Sequence, residues 1–356
     1  MYKNKVDREI FFLLNIFLIV HSLAFLIGSL NNAQMHLMLN DMKPLMFFFM
    51  LIFFCTFIRD IEGVNLTIKT VKAAALILAL PYLIFLLLLH FKIIHLDADF
   101  IAMLENHKGK DIRFQQHMGV FYNGFLYLCV GFLFFVFEKG KINKLISALI
   151  FIAIVFTFSR GFLLSTGLVL LIYVTVRFIR SKLKVKYLAF LIVSCCAALL
   201  AGQKYIQTVG DKYISDITRI ITFKQVVEAV TPISLFVGHG FGVGTAERLV
   251  HMEVSYLEIF HKQGILGLLF WFMLFVVIVR KYLKACRNGV RNMALPFMLS
   301  SLLIFILTAT NNYMNNPLGM SMVLISIAGL NALGKENLKI AIKESRVNGS
   351  MSHMRK

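Results

Sequence analysis

Between Leu145 and Val176 the chain runs for 32 residues with one charged side chain, Arg160. A helix rises about 1.5 Å per residue, so one straight helix of this length would reach roughly 48 Å. The hydrocarbon layer of a bilayer is only about 30 Å thick. A single crossing would overshoot it. A charge at the centre of a spanning helix also costs about 2.5 to 3.5 kcal/mol on insertion scales. Two short spans with a turn at Ser159-Arg160-Gly161 remove both difficulties. Gly161 suits such a turn because glycine tolerates positive φ. Arg160 then lies at the mouth of a helix pair. The bland role there is an interfacial arginine reaching toward lipid phosphates.

The rest of the chain repeats this pattern of apolar runs and short polar breaks. Of 356 residues 59% are hydrophobic and 15% charged, with mean hydropathy +0.78. Soluble domains carry about 25% charged residues. Apolar runs mark ten candidate spans: 10–30, 42–58, 73–91, 118–137, 145–159, 161–179, 187–201, 257–279, 294–312 and 318–334. The expected fold is an all-α polytopic integral membrane protein with about ten transmembrane helices. The first run, Ile10 to Leu30, is too long for a signal-peptide core and reads as a retained span. The five cysteines form no CxxC and no spaced Cys/His set. Neither a disulfide framework nor a metal site is expected, and no cofactor.

Charge sets the orientation. With the N-terminus inside, the inner segments hold 25 of the 37 Lys and Arg, and the acidic residues split seven inside and eleven outside. The net charge of +19 is then a topology signal, +18 inside against +1 outside. It gives no support for nucleic-acid binding. Both termini fall inside. Seven spans fill residues 1–201, a large outer loop covers 202–256, three spans fill 257–334, and 335–356 form a cytoplasmic tail.

Two outer segments are long enough to carry a site. Lys92 to Gln116 holds His95, Asp97, Asp99, Glu105, His107, Asp111 and Arg113, a mix that suits a solvated loop. The 202–256 loop is longer and charge-balanced. Thr218 to Ala229 reads as a short amphipathic helix bearing Arg219, and Pro232 follows it as a stop signal. Leu235 to Gly244, LFVGHGFGVG, has four glycines at alternate positions around His239. Gly240 and Gly242 belong to a backbone that can approach a ligand or offer N–H groups to an anion. The segment lacks the context of a dinucleotide fingerprint. Arg248, His251, Glu253 and Tyr256 follow, leading into the eighth span. Glu253, Leu257, Phe260 and Gly264 are spaced to share one helix face, with Glu253 at the mouth of the membrane domain. The uncharged segment Asn311 to Pro317 reads as a turn.

Three stretches resemble the bacterial O-antigen polymerase/ligase superfamily. Thr157-Phe-Ser-Arg-Gly161 is similar to its T-x-S-R-G signature. Arg219 is followed some twenty residues on by the G-x-G-x-G segment 238–242. Tyr256-Leu257 with Gly264-Ile-Leu-Gly267 is similar to its Y-L-x(6)-G-x-x-G opening of a span. Together they cover about 110 residues of the middle and C-terminal half.

The resemblance implies a metal-independent glycosyltransferase of the bacterial inner membrane, working at the periplasmic face on undecaprenyl-diphosphate-linked oligosaccharide. Membrane lipids and a chain-length regulator protein are the other implied partners. A polymerase transfers the growing glycan onto the next lipid-linked repeat unit; a ligase transfers it to lipid A–core. In the ligase pattern a histidine stands four residues before the leucine of the third motif. Here that position is Glu253, with His251 two residues away, and the polymerase reading is preferred. Arg160 and Arg219, with Arg248 in reserve, are the expected diphosphate ligands, because a guanidinium stays charged and binds phosphate bidentately. Glu253 is the expected general base, with His251 second. A lipid-linked sugar transporter is the rival from another class. Transporters place ionisable groups at the midplane, often in repeated halves. The chain shows no half-to-half repeat, and its span centres hold almost no ionisable groups, His21 being the main exception.

Overall fold

The computed structural model describes residues 7–94, 112–115, 119–180 and 213–335. The candidate span 187–201 lies outside them, as do 95–111 of the first outer loop and 202–212 of the second. The chain is a helical membrane protein. Among the described residues five helical stretches are long and apolar enough to cross a bilayer: Arg8–Leu30, Met35–Phe57, Ile61–His90, Arg160–Ile179 and Ser255–Arg287. Three shorter apolar helices are Asn123–Val136, Arg291–Leu307 and Pro317–Leu333.

The chain forms two compact units, residues 1–69 with 217–356 and residues 70–216. The first opens with α1, Arg8–Leu30, capped by the Asp7 carboxylate, which accepts from the Glu9 N–H at 3.1 Å. Asn32 in the left-handed region (φ 56°) turns the chain. The next expected span, 42–58, begins earlier. It comprises α2 (Met35–Met46), a 3-10 turn at Phe47–Phe49, and α3 (Met50–Phe57). Starting at Met35 draws Asp41 into a buried helical position. α4 (Ile61–His90) then leads into the second unit. The core of the first unit is aromatic. Phe17 stacks on Phe48 at 4.4 Å, Phe270 meets Phe48 at 5.5 Å, and Trp271 is 5.1 Å from Phe270. Such pairs add about 0.5 to 1.5 kcal/mol each beyond the area they bury. His21 stacks on Phe17 and bonds to the Phe17 carbonyl, a packing role.

Among the described residues, the second unit departs from the all-α expectation in one place. β1 (Ile112–Gln115) pairs antiparallel with β2 (Gly119–Tyr122), Ile112 opposite Tyr122. The expected span 118–137 therefore starts as a strand, where Val120, Phe121 and Tyr122 favour extended backbone. Helix α5 covers only Leu126–Val136. Gly131 of α5 lies so close to Ala75 that a Cβ would sit 2.1 Å from the Ala75 Cβ. Lys72 pairs with Glu138 and lies over the Phe135 ring at 4.5 Å.

The long apolar run does divide, into α6 (Lys141–Phe156) and α7 (Arg160–Arg180). The turn occupies Thr157 to Ser159, two residues before the expected Ser159 to Gly161. The positive φ falls on Phe158 (48°), while Gly161 is inside α7. The polar residues of the motif explain why. The Thr157 hydroxyl donates to the Ile154 carbonyl at 2.7 Å, closing α6. The Ser159 hydroxyl accepts from the Phe162 N–H at 3.4 Å, opening α7.

The second unit ends at Asp216, inside α8 (Tyr213–Glu228), and the first resumes at Ile217; α8 ends before Thr231, which caps α9 (Pro232–Val237). Pro232 thus starts a helix as well as following one, since its missing N–H is no loss at that position. α10 (Ser255–Arg287), α11 (Arg291–Leu307) and α12 (Pro317–Leu333) follow, the last of the described helices. The Asn311 to Pro317 segment is the expected turn, with the Asn316 side chain capping α12 by accepting from the Leu318 N–H at 2.9 Å.

Candidate active site

Glu253 stands two residues before α10, outside the helix. Arg219 of α8 donates from Nε to Oε2 at 2.7 Å, and Arg248 donates from a terminal nitrogen to Oε1 at 3.0 Å. Each carboxylate oxygen has its own guanidinium. A turn aims Arg248. Its N–H donates to the Thr245 hydroxyl at 3.2 Å and to the Thr245 carbonyl at 3.1 Å. All three side chains are about one-third exposed: 32% for Arg219, 37% for Arg248 and 32% for Glu253. The group is net positive, two cations on one anion. Beside it runs a groove of about 550 Å³, lined by Arg219, Phe223, Tyr256, Leu257 and Phe260. The Tyr256 hydroxyl donates to the Phe305 carbonyl at 2.8 Å, which leaves the ring as a groove wall.

The glycine-rich segment packs between α1 and α10. Gly238, Gly240 and Gly242 have φ of 75°, 86° and 78°. A Cβ on Gly240 would lie 2.0 Å from the Gly28 nitrogen of α1. Gly264 breaks the helical geometry inside α10 (φ 61°, ψ −157°). That break deprives the His261 and Lys262 carbonyls of their regular helical partners. They accept instead from the His239 N–H at 2.8 Å and the Gly240 N–H at 3.0 Å. The Phe241 N–H goes to the Ala24 carbonyl and the Gly242 N–H to the Asp41 carboxylate. The amides of residues 239–242 are thus consumed inside the protein, and an anion would not find them free. The His239 ring lies 4.7 Å from the His261 ring, and burial lowers the His239 imidazole below its ordinary pKa of 6.5.

Beneath Glu253 lies a charged network that the sequence reading missed. Lys262 Nζ donates to Asp41 Oδ1 and to Glu258 Oε1, both at 2.7 Å. The three side chains are 2%, 3% and 3% exposed. His251 Nδ1 is 3.4 Å from Glu258 Oε1, with the ring 45% exposed above it. Asn315 donates to the other Glu258 oxygen at 3.4 Å. Asp41, His251 and Glu258 present donor atoms within 4.8 Å of one another, the residue types that hold a cation. The Lys262 ammonium already bonds both carboxylates, so a metal would have to displace it.

Arg160 belongs to the other unit. As the first residue of α7 it occupies a helix N-terminus, where the dipole disfavours a cation. Asp216 offsets this at 3.3 Å. The structure therefore joins Arg219, Arg248 and Glu253 directly. It puts Tyr256 on the adjoining groove and His251 on the buried network. It makes Gly240 and Gly242 packing glycines. One signal for the missed network was present: Glu258 and Lys262 are four apart, hence on one face, at the start of an apolar span. Asp41, 221 residues from Lys262, left none.

No family model matches the chain, and no solved structure matches it. A protein of Shigella flexneri named O-antigen polymerase is 26% identical over 326 residues, which is 89% of this chain and 79% of that protein.

Proposed function

We propose that this chain, O-antigen polymerase-like over most of its length, is a glycosyltransferase that extends a polysaccharide on a lipid diphosphate. The observation that carries this reading is Glu253 held between Arg219 and Arg248 at the edge of an apolar groove. The groove suits a polyprenyl tail, and two guanidinium groups suit a diphosphate.

In this reading the donor is the growing glycan on undecaprenyl diphosphate, and the acceptor is a hydroxyl of the next lipid-linked repeat unit. The acceptor oxygen bonds to the anomeric carbon. The bond from that carbon to the phosphate oxygen breaks, and its electron pair leaves with the diphosphate. Arg219 and Arg248 stabilise that growing charge from fixed positions, which is the role a metal ion would otherwise take. Glu253 receives the acceptor proton. A diphosphate competes for the same guanidinium groups. When it binds, Glu253 loses those partners and its carboxylate oxygens are freed to receive the acceptor proton. His251, next to Glu258, is the second group able to take the proton. Arg160 is assigned a separate diphosphate contact, and its T-x-S-R-G motif supports that assignment. Gly240 and Gly242 act by fixing the loop that carries Arg248 and Glu253, and His239 lies in the same loop. The reaction belongs to the periplasmic face of the bacterial inner membrane.

The test is a knockout read on lipopolysaccharide gels. Loss of a polymerase leaves core bearing one repeat unit, and complementation restores the ladder. A bare core in the knockout would instead indicate a ligase.

A further inference from the structure

The C-terminal end of α10 carries a second feature that the proposed reaction does not use. Gly264 to Arg287 spans about 34 Å along the helix, roughly the depth of a bilayer core. There a cavity of about 680 Å³ opens among α1, α3, α10 and the end of α12. Its basic residues are Arg59, Arg280, Lys281, Lys284, Arg287 and Lys335, against two acids, Asp7 and Glu9.

The acids are already engaged. Lys281, 5% exposed, donates to Asp7 Oδ2 at 2.7 Å and to Asn331 Oδ1 at 2.8 Å, and lies 3.3 Å from Glu9. Arg280 pairs with Glu9 at 3.1 Å. Burial alone would raise the Asp7 carboxyl, but the Lys281 hydrogen bond and charge outweigh it and hold its pKa below the ordinary value. Asp7 is thus a committed anion. Lys284 and Arg287 form no ion pair among the described residues, and both are exposed on the cavity wall. Dispersed loop cations are enough to orient a membrane protein. Here they converge on a concave site instead. Ile52 and Leu283, each 44% exposed, give the cavity an apolar shoulder beside its charges. Positive charge next to exposed apolar surface matches a group with an anionic head and an acyl tail.

We propose that this cavity is a binding site for a phosphate-bearing anion, the headgroup of an anionic phospholipid, held by Lys284 and Arg287. The site is independent of the polymerase reading. A free phosphate shares the chemistry, and the experiment separates the two sources.

The full-length protein is placed in phosphatidylcholine nanodiscs with graded phosphatidylglycerol, and bound lipid is counted by native mass spectrometry. Wild type retains phosphatidylglycerol in preference to phosphatidylcholine. Each cation removed weakens retention about five-fold, so Lys284→Gln/Arg287→Gln loses roughly 25-fold. The charge-preserving Lys284→Arg/Arg287→Lys variant stays close to wild type. Arg287→Gln alone, a change at one exposed side chain, gives the five-fold effect even if the double variant folds poorly. In a second arm, pyrophosphate is titrated onto delipidated protein in detergent. Saturable binding that the double variant loses, without any phosphatidylglycerol preference, assigns the phosphate site to a soluble ligand and overturns the lipid source. Equal retention of both lipids with no pyrophosphate binding, or unchanged retention in the glutamine variants, overturns the site itself.

Discussion

A carboxylate with an arginine on each oxygen accepts two charge-assisted hydrogen bonds, which are stronger than neutral ones. At Glu253 this has two consequences. Lysine offers a point charge instead of a planar fork, so Arg219→Lys is expected to keep membrane insertion while slowing chain extension roughly 100-fold, the scale of losing one preorganised donor. A rate within about three-fold of wild type in a purified assay would remove Arg219 from the chemistry. Glu253→Gln keeps the shape and removes the base, with an expected loss of about 10² to 10⁴. Rates preserved in that variant but lost in His251→Gln would move the proton to the histidine. Glu253 and both arginines were legible in the sequence as charged residues gathered in one loop. Which arginine meets which oxygen was not, because Arg219 arrives from a helix 34 residues earlier.

The loop's alternating glycines looked like an anion cradle, yet the fold uses them as spacers against α1 and α10. A methyl group at Gly240 meets the Gly28 backbone at 2.0 Å and forces φ of 86° on a residue with a Cβ. Gly240→Ala should therefore destabilise the protein by about 3 to 5 kcal/mol, combining backbone strain with overpacking. Gly289 is the control. It has φ of 82° but open space around it, so Gly289→Ala should cost only about 1 to 2 kcal/mol. Equal melting temperatures for the two variants would refute the spacer role. The same element carries a pH signature. His239 has its pKa lowered on folding, so the unfolded chain binds that proton more readily. Stability from this site is full above about pH 6.5 and falls as the pH drops below it toward the lower folded value. His239→Gln should flatten that part of a melting-temperature profile recorded on either side of 6.5, and an unchanged slope would exclude His239. The motif was legible as glycines, but its purpose needed the break at Gly264, which frees two carbonyls for the loop to reach.

At the scale of the molecule, Asp41, Lys262 and Glu258 tie α2 to the start of α10, directly under the loop that bears Glu253. Removing the middle charge leaves two buried carboxylates facing each other. Lys262→Met is expected to cost about 3 to 5 kcal/mol, while Asp41→Asn/Glu258→Gln/Lys262→Met, which neutralises all three, should recover much of it. Additive losses in the triple variant, measured by detergent melting, would contradict a network. Composition and periodicity alone determined that the chain is a helical membrane protein, and the 32-residue run had to break because a bilayer is thinner than that helix is long. Those conclusions follow from local geometry and from the cost of putting charge in lipid. The tertiary structure alone decided that Pro232 starts a helix, that β1 and β2 form a hairpin, and that Asp41 meets Lys262. Pairings between residues two hundred positions apart depend on which helices pack together, and no local pattern encodes that choice.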